Sequence, residues 1–306
     1  MTLLLRTPAL ALAALLAFGL TSAPEPARAA DPVVTLKDAG AGKKQVLRFN
    51  PTKGTKESMV MSIDMSMEMA MGGQDMPAQD LPTMTMVMDT EVNEVAQDGT
   101  FTYTFKFTKM DVGASDTLPP TAVEQMKLKL NEMLGMEGHA TMTTRGFSRD
   151  GDFVLPEGAS KDMQDTLDSM TQSMDQMVAP LPEEPVGVGA EWTVVSQVSS
   201  NGMKIDQTAN YQLVSFDGSL LSLKVDIVQA APVQTVDLGA QGSFELVRYT
   251  GSGAGTTSLN LSRIMPVQAV IDVQNDAGMK MDMNGQKIDM GVKSKVKNSM
   301  TGSSRQ

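Results

Sequence analysis

The stretch Met59-Val-Met-Ser-Ile-Asp-Met-Ser-Met-Glu-Met-Ala-Met71 carries a large apolar side chain at every odd position. Most of the residues between these positions are small or polar. Alternation with a period of two is typical of a β-strand with one buried face, because successive side chains point to opposite sides of a sheet. A helix would distribute the same residues around its axis. We therefore predict a long strand here, and a fold built around its methionine face.

Alternation of the same kind extends through much of the remaining chain. It resumes at Met84, and the pair Asp98-Gly99 predicts a hairpin turn into a strand over 100–108. In the second half, strands are predicted over 192–198, 204–216, 220–229, 244–249, 258–262 and 267–273. An Asn-Gly turn at Asn284 predicts a hairpin near the C-terminus. We interpret the glycine-rich residues 251–255 as a loop between two strands.

Two segments have helical rather than strand periodicity. Apolar residues recur every three or four positions over about 119–136, after a Pro-Pro pair, and over about 160–178, before Pro180. Both segments predict amphipathic helices with a methionine stripe. The first stripe includes Met126 and Met133, and the second includes Met163, Met170 and Met174.

The two halves of the chain are similar in pattern. The Asp98-Gly99 turn and its strand correspond to Asp217-Gly218 and the strand after it. We predict a mainly β, α+β fold: an antiparallel sheet of two repeats that forms an open half-barrel, with the two helices in or over its concave face. The first half spans 31–182 and includes both helices. The second half spans 183–298 and is all strand, and residues 299–306 form a disordered tail.

Residues 1–30 have the features of a cleavable secretory signal. A basic residue, Arg6, precedes an uncharged apolar run that is followed by Ala27-Arg28-Ala29, an A-x-A cleavage pattern. This predicts a periplasmic or secreted protein without a transmembrane segment after cleavage. The chain has no cysteine, so disulfides and thiol chemistry are excluded. A net charge of −11 without basic clusters argues against nucleic acid as a partner.

Two motifs resemble those of a family. Leu47-Arg48-Phe49 precedes Lys53-Gly54 and the long methionine strand, and Pro182–Trp192 combines prolines, a Val-x-x-Gly and a strand that opens with tryptophan. Together they resemble an uncharacterised family of bacterial exported, strand-rich proteins. The resemblance implies a shape similar to periplasmic lipoprotein carriers, whose curved sheet forms an open half-barrel. It implies no activity, and no ligand-contact motif of those carriers is present.

The 27 methionines suggest a binding surface. Methionine is unbranched and polarizable, and it is common at surfaces that bind varied apolar partners. A non-enzymatic carrier of lipid, an acylated protein or another hydrophobic molecule is therefore the leading hypothesis. The same residues would equally make an ordinary packed core. The candidate ligand contacts are Met59, Met61, Met65, Met67, Met69, Met84, Met86, Met88, Met126, Met133, Met163, Met170 and Met174.

Thioether sulfur is also a soft ligand that selects Cu(I), so a Cu(I)- or Ag(I)-binding protein is the alternative. Its candidate ligands are Met65, Met67, Met69 and Met86, and His139 is the only histidine that could join them. A structural or interaction protein of the cell envelope is a further alternative. The sequence contains no catalytic motif and no cofactor-binding motif, so we expect neither enzymatic activity nor a cofactor.

Overall fold

A computed structural model describes residues 31–154, 179–200, 202–237, 242–283 and 286–305. The predicted signal segment 1–30 and the second predicted helix, 160–178, lie outside these residues. The described part of the chain is mainly β, as predicted. It contains one helix, α1 (Pro120–Asn131), and the following strands: β1 (Val33–Asp38), β2 (Ala41–Gln45), β3 (Lys56–Met71), β4 (Gln74–Asp75), β5 (Gln79–Val95), β6 (Phe101–Val112), β7 (Glu137–Met142), β8 (Ser148–Phe153), β9 (Val186–Val188), β10 (Glu191–Ser200), β11 (Met203–Asp217), β12 (Leu220–Ala231), β13 (Gln234–Asp237), β14 (Ser243–Asn260), β15 (Gln268–Met283) and β16 (Gln286–Arg305).

Fourteen of these strands form one antiparallel sheet. Its order is β1-β10-β11-β12-β14-β15-β16-β3-β5-β6-β7-β8, with β13 beside β14 and β4 beside β3, while β2 and β9 form a separate pair. Each half contributes three successive strands, an insertion and two further strands: β3, β5, β6, then α1, then β7, β8, and β10, β11, β12, then β13, then β14, β15. The last strand, β16, joins the two series by pairing with β3. An origin of the two series by duplication stays a prediction.

The methionine strand lies at the centre of this sheet as β3, and its alternation gives the sheet two different faces. We call the face that carries Met59 the inner face and the opposite one the outer face. Met59, Met67 and Met69 are buried, whereas Val60 and Glu68 on the outer face are exposed. The predicted strand and the position of its apolar face are therefore confirmed.

Two groups of buried side chains lie on the inner face. The main core joins residues from many strands, including Met88 of β5, Phe105 of β6 and Trp192 of β10. The second core lies nearer the opposite strand ends and includes Met67 and Leu246. The main core thus includes side chains from strands as far apart in the sheet order as β8 and β10.

Within the residues that the structure describes, the sheet is not closed and has two edge strands. Strands β1 and β8 end the hydrogen-bonded order and share no ladder. A side-chain ion pair joins them instead, with Arg149 Nη2 of β8 2.7 Å from Asp31 Oδ2, two residues before β1. The structure therefore confirms the predicted large antiparallel sheet.

Helix α1 confirms the first of the two helix predictions, although it is shorter than expected. Pro120 provides a suitable first residue because its nitrogen has no hydrogen to leave unpaired. The helix ends at Asn131, and turns continue to Gly135, whose positive φ of 84° suits glycine. Leu130 and Met133 are buried in the main core, against which Val123 and Met126 also pack.

Two predictions about irregular segments are wrong. Residues 299–305 are not a disordered tail, because they continue β16 and pair with β3 over Lys56–Ser62. An ion pair of 2.5 Å between Arg305 and Asp89 also fixes this end. Residues 251–255 are not a loop, because they lie within β14. Glycines at alternate positions here suit a strand whose neighbours approach too closely for side chains on one face.

One carboxylate on the inner face is part of the fold's support. Glu57 of β3 is 0 % exposed and accepts backbone N–H groups from Ile264 (2.9 Å) and Met265 (3.1 Å). Its Oε2 also lies 3.4 Å from Nε of Arg263, which is largely buried. These contacts tie the connection between β14 and β15 to β3, and they satisfy a charge that would otherwise be very costly to bury.

Candidate functional site

The predicted methionines divide into three groups in the structure. Met59, Met61, Met88 and Met133 are buried in the main core, and Met67 and Met69 are buried in the second core. Met65, Met84, Met86 and Met126 are only half-buried. Met163, Met170 and Met174 lie outside the described residues. Six of the predicted contacts are therefore packing residues, and the half-buried ones indicate where the inner face is open.

Three of the half-buried methionines, Met65, Met84 and Met86, belong to one continuous surface between the two cores, whereas Met126 lies on α1. Strand register places Ile63 beside Met84, and Met65 beside Val296 of β16 and, one strand further, Val273 of β15. We call this surface the open patch. All of its members are apolar, half-buried and on the inner face: Ile63, Met65, Met84, Met86, Ile227, Ile271, Val273, Val296 and Met300.

Glycines contribute to the open patch by the absence of side chains. Gly253 of β14 lies between Ile227 and Val273, and Gly255 occupies the next inner position. A Cβ atom added to Gly255 would lie 2.2 Å from the carbonyl oxygen of Val270, so a side chain cannot be accommodated without moving β15. The surface of the open patch is therefore recessed along β14 relative to the neighbouring strands β12 and β15.

A row of polar residues crosses the inner face beside the open patch. Successive strands place these residues side by side, one per strand, with Gly251 of β14 in the middle. We call this set the polar row, and all its members are half-buried: Ser196, Gln207, Gln229, Asn275 and Ser294. The polar row lies two residues along each strand, a distance of about 7 Å, from the inner row that contains Met65 and Val273.

Hydrogen bonds connect most of the polar row. Gln229 Nε2 donates to Gln207 Oε1 at 2.7 Å, and Asn275 Nδ2 lies 3.5 Å from Ser294 Oγ. Between them, the Tyr249 hydroxyl lies 3.1 Å from both Gln229 Oε1 and Asn275 Oδ1. The hydroxyl reaches this position over Gly251, which has no side chain to obstruct it. Burial raises the pKa of Tyr249, so its phenol stays neutral.

Charges are missing from this part of the inner face. In the polar row and in the inner rows on either side of it, the described residues include no Asp, Glu, Lys or Arg. The basic residues of β16 lie on the outer face, where Lys293 is opposite Glu68 and Lys297 is opposite Asp64. These three rows of the inner face therefore carry no charge, and their hydrogen-bonding side chains are neutral.

The outer face has a cleft of a different character. Its volume is about 460 Å³. Most of its lining is polar or charged and comes from outer positions, including Glu68, Gln274, Asp276 and Lys295. A salt bridge of 2.8 Å between Arg248 and Asp276 holds the pKa of that carboxyl below its usual value and lies at the edge of the cleft. Such a lining does not suit an apolar ligand.

The structure does not bring the four predicted Cu(I) ligands together. Met86 is paired with Met61, whereas Met67 and Met69 lie six and eight residues further along β3. At about 3.3 Å per residue, these positions are about 20 Å and 26 Å away, beyond the reach of thioether side chains. Register instead aligns Met110, Met86, Met61 and Met300 on four adjacent strands. We call these residues the methionine row.

The described residues contain no group of three or more His, Asp or Glu side chains placed to hold a metal ion. In the same part of the chain, no helix is both long and apolar enough to cross a membrane.

The two motifs that suggested a family meet in space. Arg48 Nη1 donates to the carbonyl oxygen of Pro182 at 2.9 Å, and Trp192 Nε1 donates to that of Pro180 at 2.9 Å. Leu47 and Trp192 are fully buried beside them. These residues fix how the segment before β9 enters the main core, which is a structural role.

None of the curated proteins compared with the chain matches it. Over residues 161–262, one third of its length, the chain matches a family of unknown function, DUF6263, which confirms for this segment the predicted resemblance to an uncharacterised family.

Proposed function

We propose that this protein is a non-enzymatic carrier or binding protein for an apolar ligand, such as a lipid or an acylated protein, and that the ligand binds at the open patch. The single observation that carries the proposal is the half-burial of this surface. Nine neighbouring apolar side chains lie between two packed cores yet stay partly accessible. Exposed apolar surface of this kind on a soluble protein commonly marks an interaction site.

The chemistry of the surroundings supports the same proposal. Acyl chains are recognised by apolar burial, and the inner face around Met65 and Val273 offers no charge that a ligand would have to desolvate. The adaptable thioethers of Met84 and Met86 suit ligands of varied length. An open half-barrel, with α1 and the predicted 160–178 helix against its concave face, is the shape we propose for the bound state. We also propose export to the periplasm or beyond, on the pattern of residues 1–30.

A titration with the uncharged methyl ester of a fluorescent fatty acid tests this site. The double variant Met65→Gln/Val273→Thr makes the open patch polar with little change of side-chain volume. We expect it to bind the probe about tenfold more weakly than wild type, because about 1–2 kcal/mol of apolar contact is lost. The matched control is Gln274→Thr, next to Val273 but on the outer face. Circular dichroism melting establishes that all three proteins are folded.

If the folded double variant and the control Gln274→Thr bind the probe with equal affinity, the ligand does not bind at the open patch. Failure of the wild-type protein to bind the probe at all would contradict the function itself.

A second candidate function is Cu(I) or Ag(I) binding at the methionine row. The observation that favours it is the register that aligns four thioethers on adjacent strands, with Cβ atoms of neighbours about 5 Å apart. Met86 and Met300 are half-buried, so an ion could reach them. Thioethers select Cu(I) among the common metal ions.

A Cu(I) competition titration under reducing conditions tests this candidate. If the methionine row binds Cu(I), the protein competes with a strong chelator, and Met86→Leu/Met300→Leu removes that competition while the fold persists. Leucine is close to methionine in volume, so little stability is lost. Met290→Leu, at another inner position of β16, is the control. Binding no tighter than that of weak chelators would rule this function out.

A further inference from the structure

We propose that the polar row recognises the headgroup of the ligand, and that this headgroup is uncharged and carries hydroxyl or amide hydrogen-bonding groups. The inference rests on the proposed function, because it assigns one end of the same ligand. The other end, an acyl chain, would lie on the open patch about 7 Å away.

The polar row occupies an unusual position in the fold. Gln207, Gln229 and Asn275 lie on the inner face, at positions that apolar residues fill elsewhere along the same strands. Burying carboxamides costs free energy unless their hydrogen bonds are satisfied. All members of the row remain half-buried, so groups of a ligand can reach them.

The hydrogen bonds within the polar row are incomplete. The Tyr249 hydroxyl has one proton, yet it faces two acceptors, Gln229 Oε1 and Asn275 Oδ1, each at 3.1 Å. One of these oxygens therefore has room for another donor. A carboxamide can also turn its amide plane to present nitrogen in place of oxygen. The row can accordingly serve a hydroxyl or amide group of a ligand as donor and as acceptor.

The surroundings of the polar row do not suit a charged headgroup. A carboxylate or phosphate bound in a partly buried site is costly unless a cation offsets its desolvation. No Lys or Arg of the described chain occupies the polar row or the inner rows beside it, and Lys293 and Lys295 face the opposite side. A neutral headgroup, as in a monoacylglycerol, meets no such requirement.

Binding of three probes to the full-length chain tests the inference. Monoolein and methyl oleate share an acyl chain and an ester and differ in the two hydroxyl groups, while oleate carries a charge. We expect monoolein to bind about tenfold more tightly than methyl oleate, as one or two hydrogen bonds would give. Oleate should bind no more tightly than methyl oleate.

Substitutions in the polar row test whether its side chains cause the preference for monoolein over methyl oleate. Gln229→Leu/Asn275→Leu should reduce the preference for monoolein to less than about twofold, because both carboxamides are lost. Gln274→Leu, beside Asn275 on the outer face, should leave it unchanged. Tyr249→Phe keeps the ring and removes only the hydroxyl, so it should lower the preference even if the double variant fails to fold.

The outcomes separate this inference from the function on which it rests. Equal affinities for monoolein and methyl oleate, tighter binding of oleate, or a preference that survives both Gln229→Leu/Asn275→Leu and Tyr249→Phe would overturn the role of the row. Each of these would leave apolar binding intact. If none of the three probes binds, the proposed function itself fails.

Discussion

Glu57→Ala is expected to lower the free energy of unfolding by about 3 kcal/mol, because it leaves two backbone N–H groups and Arg263 without their partner in a buried site. For a chain of this size, such a loss corresponds to a fall in melting temperature of about 10 °C. Thermal and urea melts of the purified protein measure it.

Glu91→Ala is the matched control, because Glu91 lies on the neighbouring strand and pairs with Lys56 at 3.8 Å, with both side chains about half exposed. Surface pairs of this kind contribute about 0–1 kcal/mol. If Glu57→Ala proves no more destabilising than Glu91→Ala, then Glu57 does not anchor the β14–β15 connection as described.

Gly255→Ala is expected to cost about 2–3 kcal/mol, although alanine adds a single methyl group. Its Cβ would lie 2.2 Å from Val270 O and 2.8 Å from Ile271 Cα, so β14 and β15 would have to separate. The melting temperature again reports the effect.

Gly291→Ala on β16 provides the comparison. Its added Cβ would meet Ala70 Cβ at 3.9 Å, which is ordinary contact, so stability should stay within about 0.5 kcal/mol of wild type. Similar melting curves for the two glycine variants would show that the inner face of β14 has room for a side chain at Gly255. The open patch would then not be recessed there for the steric reason given above.

Local patterns in the sequence predicted much of the sheet, because side-chain alternation in a strand is a property of neighbouring residues. The strand over Met59–Met71, the turn at Asp98-Gly99 and the helix after Pro119 are all found. Two further signals in the sequence indicate features that the predictions above do not include. Glu57 shares the odd parity of the methionines, which indicates a buried carboxylate. Glycines at 251, 253 and 255 share one parity, which indicates a strand with one bare face rather than a loop.

The register between paired strands could not be predicted from the sequence, because it depends on pairing between segments that are distant along the chain. Residues 299–305 contain only one large apolar side chain, Met300, and they are ordered through their ladders with β3. The polar row exists only because six strands align Ser196 through Ser294 at one level. The same alignment separates Met86 from Met67 and Met69, which spacing along the sequence had placed in one candidate set.

The most direct test of the account is the composition of the protein as cells produce it. Native mass spectrometry, followed by lipid extraction of protein purified from its own organism, should reveal a bound apolar species with a neutral headgroup that dissociates on unfolding. Protein that carries no such species, and that also fails to take up the uncharged ester of a fluorescent fatty acid, would contradict the central claim that the open patch is a ligand site.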